Sequence, residues 1–431
     1  MTISKRGIII GATAVMLTAV AVAGAGIHLG KASFPDSPKE LVDEVWQIID
    51  KSYVDGTFNQ VDWKAVRTDY LNRTYKTEQD SYKAIREMLK KLDDPYTRFM
   101  DPDEFKSMQI DTSGELTGVG IQLAQDEKTK KLVVISPIED TPAFKAGIIS
   151  KDIIIKIDDK PTEGMTTDQA VKLIRGPVNT QVTLTVLRDK KQLVFPLTRA
   201  KIEIHPVRFS TKPSLLGKGE IGYIRLNQFS ANASSEMKNA IETLEKKNVT
   251  GYILDLRSNP GGLLFASVEI ARMWLQEGTI VSTVDRVGET DRQVANKRAL
   301  TDKPLVILVD GGSASASEIL SGALQDNKRA TLVGTKTFGK GLVQSVRPVG
   351  GSSGLAVTIA KYFTPSGRDI NHAGIEPDVK IELTDEQKQG LRRDRDKIGT
   401  PADQQYAKAL EILTKKIAET KGNKTKSSNA K

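Results

Sequence analysis

The sequence predicts a mixed α/β, multidomain fold: an α/β core with an inserted β-rich unit and flanking helical segments. Three observations predict it. The chain has 431 residues, enough for two or three domains of ordinary size. Residues 203–380 alternate strand-like apolar runs with helical patterns, as strand–helix–strand crossovers require. Residues 114–200 instead carry short β runs, a glycine-rich loop and one helical stretch, and so read as a separate unit. With 39% hydrophobic and 27% charged residues, such domains can bury ordinary cores.

Taken in order, Lys5 and Arg6 precede 24 uncharged residues, Gly7 to Gly30, an export segment spanning residues 1–30. Ala21-Val22-Ala23 and Ala23-Gly24-Ala25 offer small-residue cleavage sites, and the segment is also long enough to remain as one membrane anchor. Either way the chain beyond it is expected across a membrane, in a periplasm or thylakoid lumen. Residues 38–110 look helical, opening with PKELVDEVWQIIDKSYV and continuing with SYKAIREMLKKL, and no chemistry is expected in them. In the core, GYILDLRSNPGG (Gly251–Gly262) reads as a buried strand followed by a tight turn whose backbone N–H groups can be exposed. Residues 381–413 are expected to be helical, with a closing helix over Asp403–Leu413. Residues 414–431 form a basic tail expected to be disordered.

Chemistry concentrates in GGSASASEILSGALQDNKRATLVGTKTFGKGLVQ, Gly311 to Gln344. Ser313, Ser315 and Ser317 precede a helical apolar pattern, so one serine stands at a helix N-terminus, where orphan N–H groups favour an anion. Ser315 and Glu318 also fit a capping box, and that reading can coexist with a reactive one. Gly334 to Lys340 fits the spacing of a phosphate-binding loop. Gly341 then stands where a magnesium-binding hydroxyl belongs, and a strand-like run follows in place of a long helix. Nucleotide binding is therefore excluded.

Only three histidines occur: His28 in the export segment, His205 before a proline and His372 in a loop. Neither of the last two has the local context of a Ser-His-Asp triad, so a lysine base fits the serine better. At an ordinary pKa near 10.4 roughly one lysine in a thousand or fewer accepts a proton at neutral pH, so burial must lower it. Phe338, Leu342 and Val343 are the apolar walls the sequence offers for that.

The motifs SASASEILSGALQD and RATLVGTKTFGKGLVQ resemble the signature of the carboxyl-terminal processing peptidases, or tail-specific proteases, over roughly residues 38 to 413. That resemblance implies a Ser/Lys protease core over residues 203–380, with Ser315 as nucleophile, Lys340 as base 25 residues later, and Gln344 in support. In a regular strand Lys340 and Gln344 share a face but lie about 13 Å apart, so contact needs a bend, which Gly341 permits. The resemblance further implies oxyanion-hole donors at the N–H groups of Gly261 and Ala316, with Asp255 and Arg257 supporting the turn. Residues 114–200 resemble a PDZ domain, whose Gly118-Val119-Gly120-Ile121 loop would take the terminal carboxylate of a peptide. Arg175 at the end of its helical stretch is a candidate link between peptide occupancy and activity.

The implied partners are protein substrates with free C-termini, and the helical region resembles one used for homo-oligomerisation in the family. No cofactor is implied. Cysteine is absent, which excludes disulfides, a thiol nucleophile and thiolate metal sites. The charge is +9, from 63 basic and 54 acidic residues, but it is dispersed and aromatics are sparse, so no nucleic-acid surface is expected. The reading is an exported serine endopeptidase cutting near substrate C-termini. The alternative is a noncatalytic PDZ scaffold at the cell envelope.

Overall fold

The structure is a computed structural model that describes residues 20–21, 37–126, 129–217 and 219–428. Apart from Val20 and Ala21, the export segment lies outside them; among the described residues no helix is long and apolar enough to cross a membrane. The chain forms two compact units, one from Gln109–His205 and one from the flanking sequence up to Met108 and from Pro206 onward.

The larger unit is built on a six-stranded sheet in the order Val207–Pro213, Glu220–Leu226, Tyr252–Asp255, Leu305–Val309, Ala330–Gly334, Val379–Lys380. The first pair is antiparallel and the remainder parallel. Parallel strands need crossovers; the helices Ala233–Lys246, Leu264–Trp274 and Ala316–Asp326 lie in three of them, and the fourth, from Ala330–Gly334 to Val379–Lys380, runs through the strands Leu342–Val349 and Ser353–Phe363. The run LVILV at 305–309 is apolar throughout because both of its faces are covered. Leu305, Ile307 and Val309 join the core shared with the three crossover helices, whereas Val306 and Leu308 pack with Tyr406, Leu410, Leu413 and Ile417 of the C-terminal helix.

That last helix runs from Gln404 to Ser428, not to Leu413, and enters the segment expected to be disordered. Ile417 supplies the reason: it is buried against the sheet one turn beyond Leu413, so the helix gains apolar burial by continuing. Residues 429–431 lie outside the description.

A second sheet pairs Leu342–Val349 with Ser353–Phe363, and Ser353–Phe363 with Thr279–Asp285 and Arg98–Met100. Gly288–Val294 and the pair Val20–Ala21 complete it. The helices Pro38–Ser52, Trp63–Leu71 and Glu78–Lys90 start at the side-chain caps Ser37, Asp62 and Thr77 and bury Val45, Ile49, Ile85 and Met88 against Val349, Leu355 and Val357. Residues 38–110 are thus not helical throughout: Arg98–Met100 is a strand added antiparallel to Gly354–Ala356.

The smaller unit holds a sheet in the order Ile121–Gln125, Leu132–Pro137, Ile153–Ile157, Gln181–Arg188, Lys191–Thr198, with Lys160–Pro161 paired to Ile153–Ile157. Its helix Thr167–Ile174 begins with a capping box between Thr166 and Gln169 and buries Ala170 and Ile174 among Val119, Ile154 and Leu184.

Candidate active site

The three alternating serines are distinguished by their partners. Ser313 donates its hydroxyl to the Leu256 carbonyl (2.9 Å), and Ser317 donates to the Asn259 carbonyl (2.9 Å). Both fasten the helix start to the neighbouring strand-turn. Ser315 is the N-cap, fully buried, with φ 58° and ψ −114°. A non-glycine residue there stores roughly 1–3 kcal/mol of strain that the surroundings must hold in place.

Glu318 does much of that holding. Its carboxylate is 0% exposed and accepts four hydrogen bonds: Oε1 from the Thr337 hydroxyl (2.6 Å) and the Gly339 N–H (2.7 Å), Oε2 from the N–H groups of Ser315 (2.8 Å) and Lys340 (2.9 Å). The capping box expected of Ser315 and Glu318 is therefore present, and the same carboxylate also grips the turn that carries the lysine. Burial pushes its pKa up, and the four donors oppose that. The Tyr362 hydroxyl donates to the carbonyls of both Ser315 (3.1 Å) and Lys340.

Lys340 is 2% exposed, and its Nζ has no hydrogen-bond partner among the described residues. Burial, aided by the positive charge of Arg98, brings it down to about 7, while Asp94 and Glu318 pull the other way. Of the expected walls, Phe338 is 42% exposed, Val343 is buried in the sheet–helix core and Leu342 lines the adjoining cavity. A wall that the sequence did not offer is Tyr96, whose ring centroid lies 4.5 Å from Nζ. Sequence reasoning missed it because residues 38–110 carried no catalytic motif. The available signal was DDPYT itself, a Pro-containing loop with an aromatic residue between polar ones.

Gln344 is fully buried and faces the same loop. Its Nε2 donates to the Thr358 hydroxyl (3.4 Å), which donates to Asp94 Oδ2 (2.6 Å). No hydrogen bond joins Gln344 to Lys340, and Gln344 Oε1 is unpartnered among the described residues. Gly341 serves close approach, since a Cβ there would stand 2.7 Å from the Asn371 N atom.

The Asn259–Gly262 turn packs directly on the serine. Gly261 has φ 104°, and a Cβ on it would fall 2.7 Å from the Ala314 carbonyl oxygen and 2.9 Å from both Ala316 N and Ser315 Cβ. Ala316 is the first residue of its helix, so its N–H has no intrahelical acceptor. The Gly261 N–H donates to Asn259 Oδ1 (2.9 Å), and Asn259 Nδ2 donates to the Leu226 carbonyl (2.8 Å). Upstream, Arg257 is buried between Asp255 and Asp403, with Nη2 2.6 Å and 2.7 Å from their carboxylates, and Nη1 donates to Gln405 (3.0 Å). Burial pushes Asp255 up, but Arg257 outweighs it and holds that carboxyl below the usual range.

A cavity of about 330 Å³ adjoins this centre, lined among others by Tyr53, Leu92, Asp94, Tyr96, Leu342 and His372. His372 reaches the neighbourhood through its backbone, its N–H donating to the Gly339 carbonyl (2.8 Å).

In the smaller unit, Val119 is buried and its carbonyl accepts the Ala143 N–H (2.9 Å), while the Gly120 carbonyl accepts the Ile138 N–H (2.9 Å). Gly120 has φ 79° and leaves no room for a Cβ, which would stand 2.3 Å from Thr141 Cβ. Strand Ile121–Gln125 lies at the sheet edge with one strand neighbour. Arg175 caps the C-terminus of helix Thr167–Ile174. Its Cγ lies 4.0 Å from the Cβ position of Gly118, and its charge acts on the half-buried Asp111.

Residues 220–381 match Peptidase family S41, residues 107–187 match the PDZ domain and residues 34–90 match the Tricorn protease C1 domain. A carboxyl-terminal-processing protease of Synechocystis is 45% identical over 401 residues, covering 92% of this chain and 92% of its own length. The chloroplastic carboxyl-terminal-processing peptidase 2 of Arabidopsis thaliana is 42% identical over 346 residues, covering 78% and 67%. Among solved structures, a photosystem II D1 C-terminal processing protease aligns with a TM-score of 0.55 and 37% identity, covering 85% of this chain and 98% of that one.

Proposed function

Because the chain belongs to the carboxyl-terminal-processing proteases of peptidase family S41, serine-type peptidases with a PDZ domain, we propose that Ser315 is its nucleophile and Lys340 its general base. The observation that carries this reading is a buried lysine Nζ without a hydrogen-bond partner among the described residues, at about 7, whose backbone shares one carboxylate oxygen with that of Ser315. A neutral amine at physiological pH is what a Ser/Lys pair requires.

Ser315 Oγ attacks the scissile carbonyl carbon as its proton passes to Lys340 Nζ. The negative charge on the carbonyl oxygen is held by the Ala316 N–H and by the Gly261 N–H, which exchanges Asn259 Oδ1 for it. The Lys340 ammonium then protonates the leaving amine, the C–N bond breaks and an acyl-enzyme remains. Water, giving a proton to Lys340, attacks the ester, and the serine recovers that proton as the new C-terminus leaves. Gln344 supports the lysine from the Thr358–Asp94 chain, and Asp255 and Arg257 hold the turn.

Substrate selection follows the PDZ mode: the Gly118-Val119-Gly120-Ile121 loop takes a terminal carboxylate, and the edge strand Ile121–Gln125 pairs with the peptide. The chain acts outside the cytoplasm, delivered by residues 1–30, in a periplasm or thylakoid lumen. Arg175, beside Gly118, is placed to respond to an occupied loop. A photosystem II D1 precursor, the substrate in one relative's name, is the first full-length candidate.

The test is hydrolysis of a peptide with a free apolar C-terminus by the protein and its Ser315→Ala and Lys340→Ala variants. Both variants are expected to be inactive, and amidation of the peptide's C-terminus is expected to raise KM with kcat little changed. Equal cleavage by all three proteins would sink the Ser/Lys assignment, and indifference to amidation would sink carboxylate capture.

A further inference from the structure

Tyr96 lies in a segment with no assigned role, yet the end of Lys340 lies over its ring, with Nζ 4.5 Å from the centroid. The loop that presents it is braced at both ends. The Tyr96 N–H donates to Asp94 Oδ1 (2.9 Å), the Thr97 hydroxyl donates to Asp94 Oδ2 (2.6 Å), and the Thr358 N–H donates to the Thr97 hydroxyl (3.0 Å). The ring is 9% exposed and lines the cavity beside Leu342 and Thr358. A braced, desolvated π face over an amine without a hydrogen-bond partner is a receptor for the charged form of that amine.

We propose that Tyr96 is a positioning residue for proton transfer, its ring face holding the Lys340 ammonium between the attack by Ser315 and the departure of the amine. The inference rests on the assignment of Lys340 as base. During that interval Nζ carries a charge that burial opposes, and it must stay aimed at the leaving nitrogen. A cation over a ring face loses little freedom to turn between Ser315 Oγ and the leaving nitrogen, since the attraction is not tied to one N–H direction. Other charged groups act on the lysine, Arg98 from its strand, Asp94 from the same loop and Glu318 from the nucleophile's helix, while the Tyr362 hydroxyl bonds its backbone carbonyl and Tyr53, Asp55, Asp93 and His372 line the adjoining cavity. Arg98 acts in the opposite sense to Tyr96, disfavouring the ammonium.

The two residues therefore make predictions of opposite sign. Peptide hydrolysis by the full chain is measured from pH 5 to 9 at constant ionic strength for the unaltered protein and for Tyr96→Phe, Tyr96→Leu, Tyr96→Met and Arg98→Gln. Tyr96→Phe keeps the π face and should keep the acid limb of kcat/KM in place. Tyr96→Leu and Tyr96→Met should move that limb to lower pH by about half to one unit and reduce kcat roughly tenfold with KM unchanged. Arg98→Gln should move it to higher pH. An acid limb and kcat that stay put in whichever of the Leu and Met variants folds would overturn the proposal, as would a Phe variant that behaves like Leu. Activity surviving in Lys340→Ala would instead remove the base assignment, so the two failures are distinguishable.

Discussion

Glu318 and Tyr362 hold the same two backbone positions from opposite sides: Glu318 Oε2 accepts the N–H groups of Ser315 and Lys340, and the Tyr362 hydroxyl donates to the carbonyls of both. The serine and lysine are 25 residues apart in sequence and sit on different elements. Two buried side chains therefore set their relative position. Glu318→Gln replaces an acceptor oxygen with a donor and leaves buried N–H groups unmatched, which costs about 1–3 kcal/mol for each such group. The expected outcome is a Tm lower by several degrees and kcat reduced on the order of a hundredfold, read by calorimetry and peptide hydrolysis. Tyr362→Phe should be milder in both measurements.

Lys340 is expected to limit stability as well as permit activity. Its folded-state pKa, about 7, is depressed below the unfolded value. Between those two values the unfolded chain binds a proton that the folded chain does not, so stability rises with pH across that window and is lowest below about 7, where the folded protein must hold a buried charge. Lys340→Met should therefore raise Tm by several degrees, most at pH 6 and least near pH 10, while abolishing hydrolysis. A Tm difference that does not change with pH would contradict the assigned direction. In the unaltered enzyme, activity should rise through a single ionisation near pH 7.

Gly262 tests the turn without touching a reacting group. It has φ 141°, and a Cβ would stand 2.3 Å from the Phe229 carbonyl oxygen, itself the acceptor of the Leu263 N–H (2.7 Å). Gly262→Ala should cost roughly 2–4 kcal/mol from strain and overlap together, with most activity lost. Urea unfolding measures the first and hydrolysis the second.

Asp403 joins the C-terminal segment to the turn. It pairs with Arg257 inside the protein and accepts the Tyr406 N–H (3.3 Å). Asp403→Ala strands part of a buried guanidinium charge, an effect worth about 3–5 kcal/mol. The variant should unfold at lower urea, and any folded fraction should show a reduced kcat because Arg257 begins the turn that reaches Gly261. Unchanged stability would show that the pair is dispensable.

Much of this centre is legible along the chain. GYILDLRSNPGG does form a buried strand, Tyr252–Asp255, and the S-x-x-E spacing does yield a Glu318 carboxylate bonded to the Ser315 N–H. Gly261 and Gly262 adopt the positive φ that a Gly-Gly turn invites. What is not legible depends on side chains that meet across long sequence separations. Ser313 and Ser317 look equivalent to Ser315 until their hydroxyls are seen bonded to Leu256 and Asn259. Phe338 looks like a wall because it precedes the lysine by two residues, yet a wall comes from Tyr96, 244 positions upstream. The length of the C-terminal helix was hidden for the same reason, since Ile417 finds its apolar partners on strands of the central sheet.

By itself the sequence determined the α/β class, the family signature and the pair of residues to examine, because periodicity and short glycine-serine motifs are local properties of the chain. Tertiary structure alone decided the charge balance at Lys340. Desolvation and the Arg98 charge lower its pKa, the Asp94 and Glu318 carboxylates oppose them and the Tyr96 ring lies beneath Nζ; all act through space, and their strength depends on distances that no local pattern encodes.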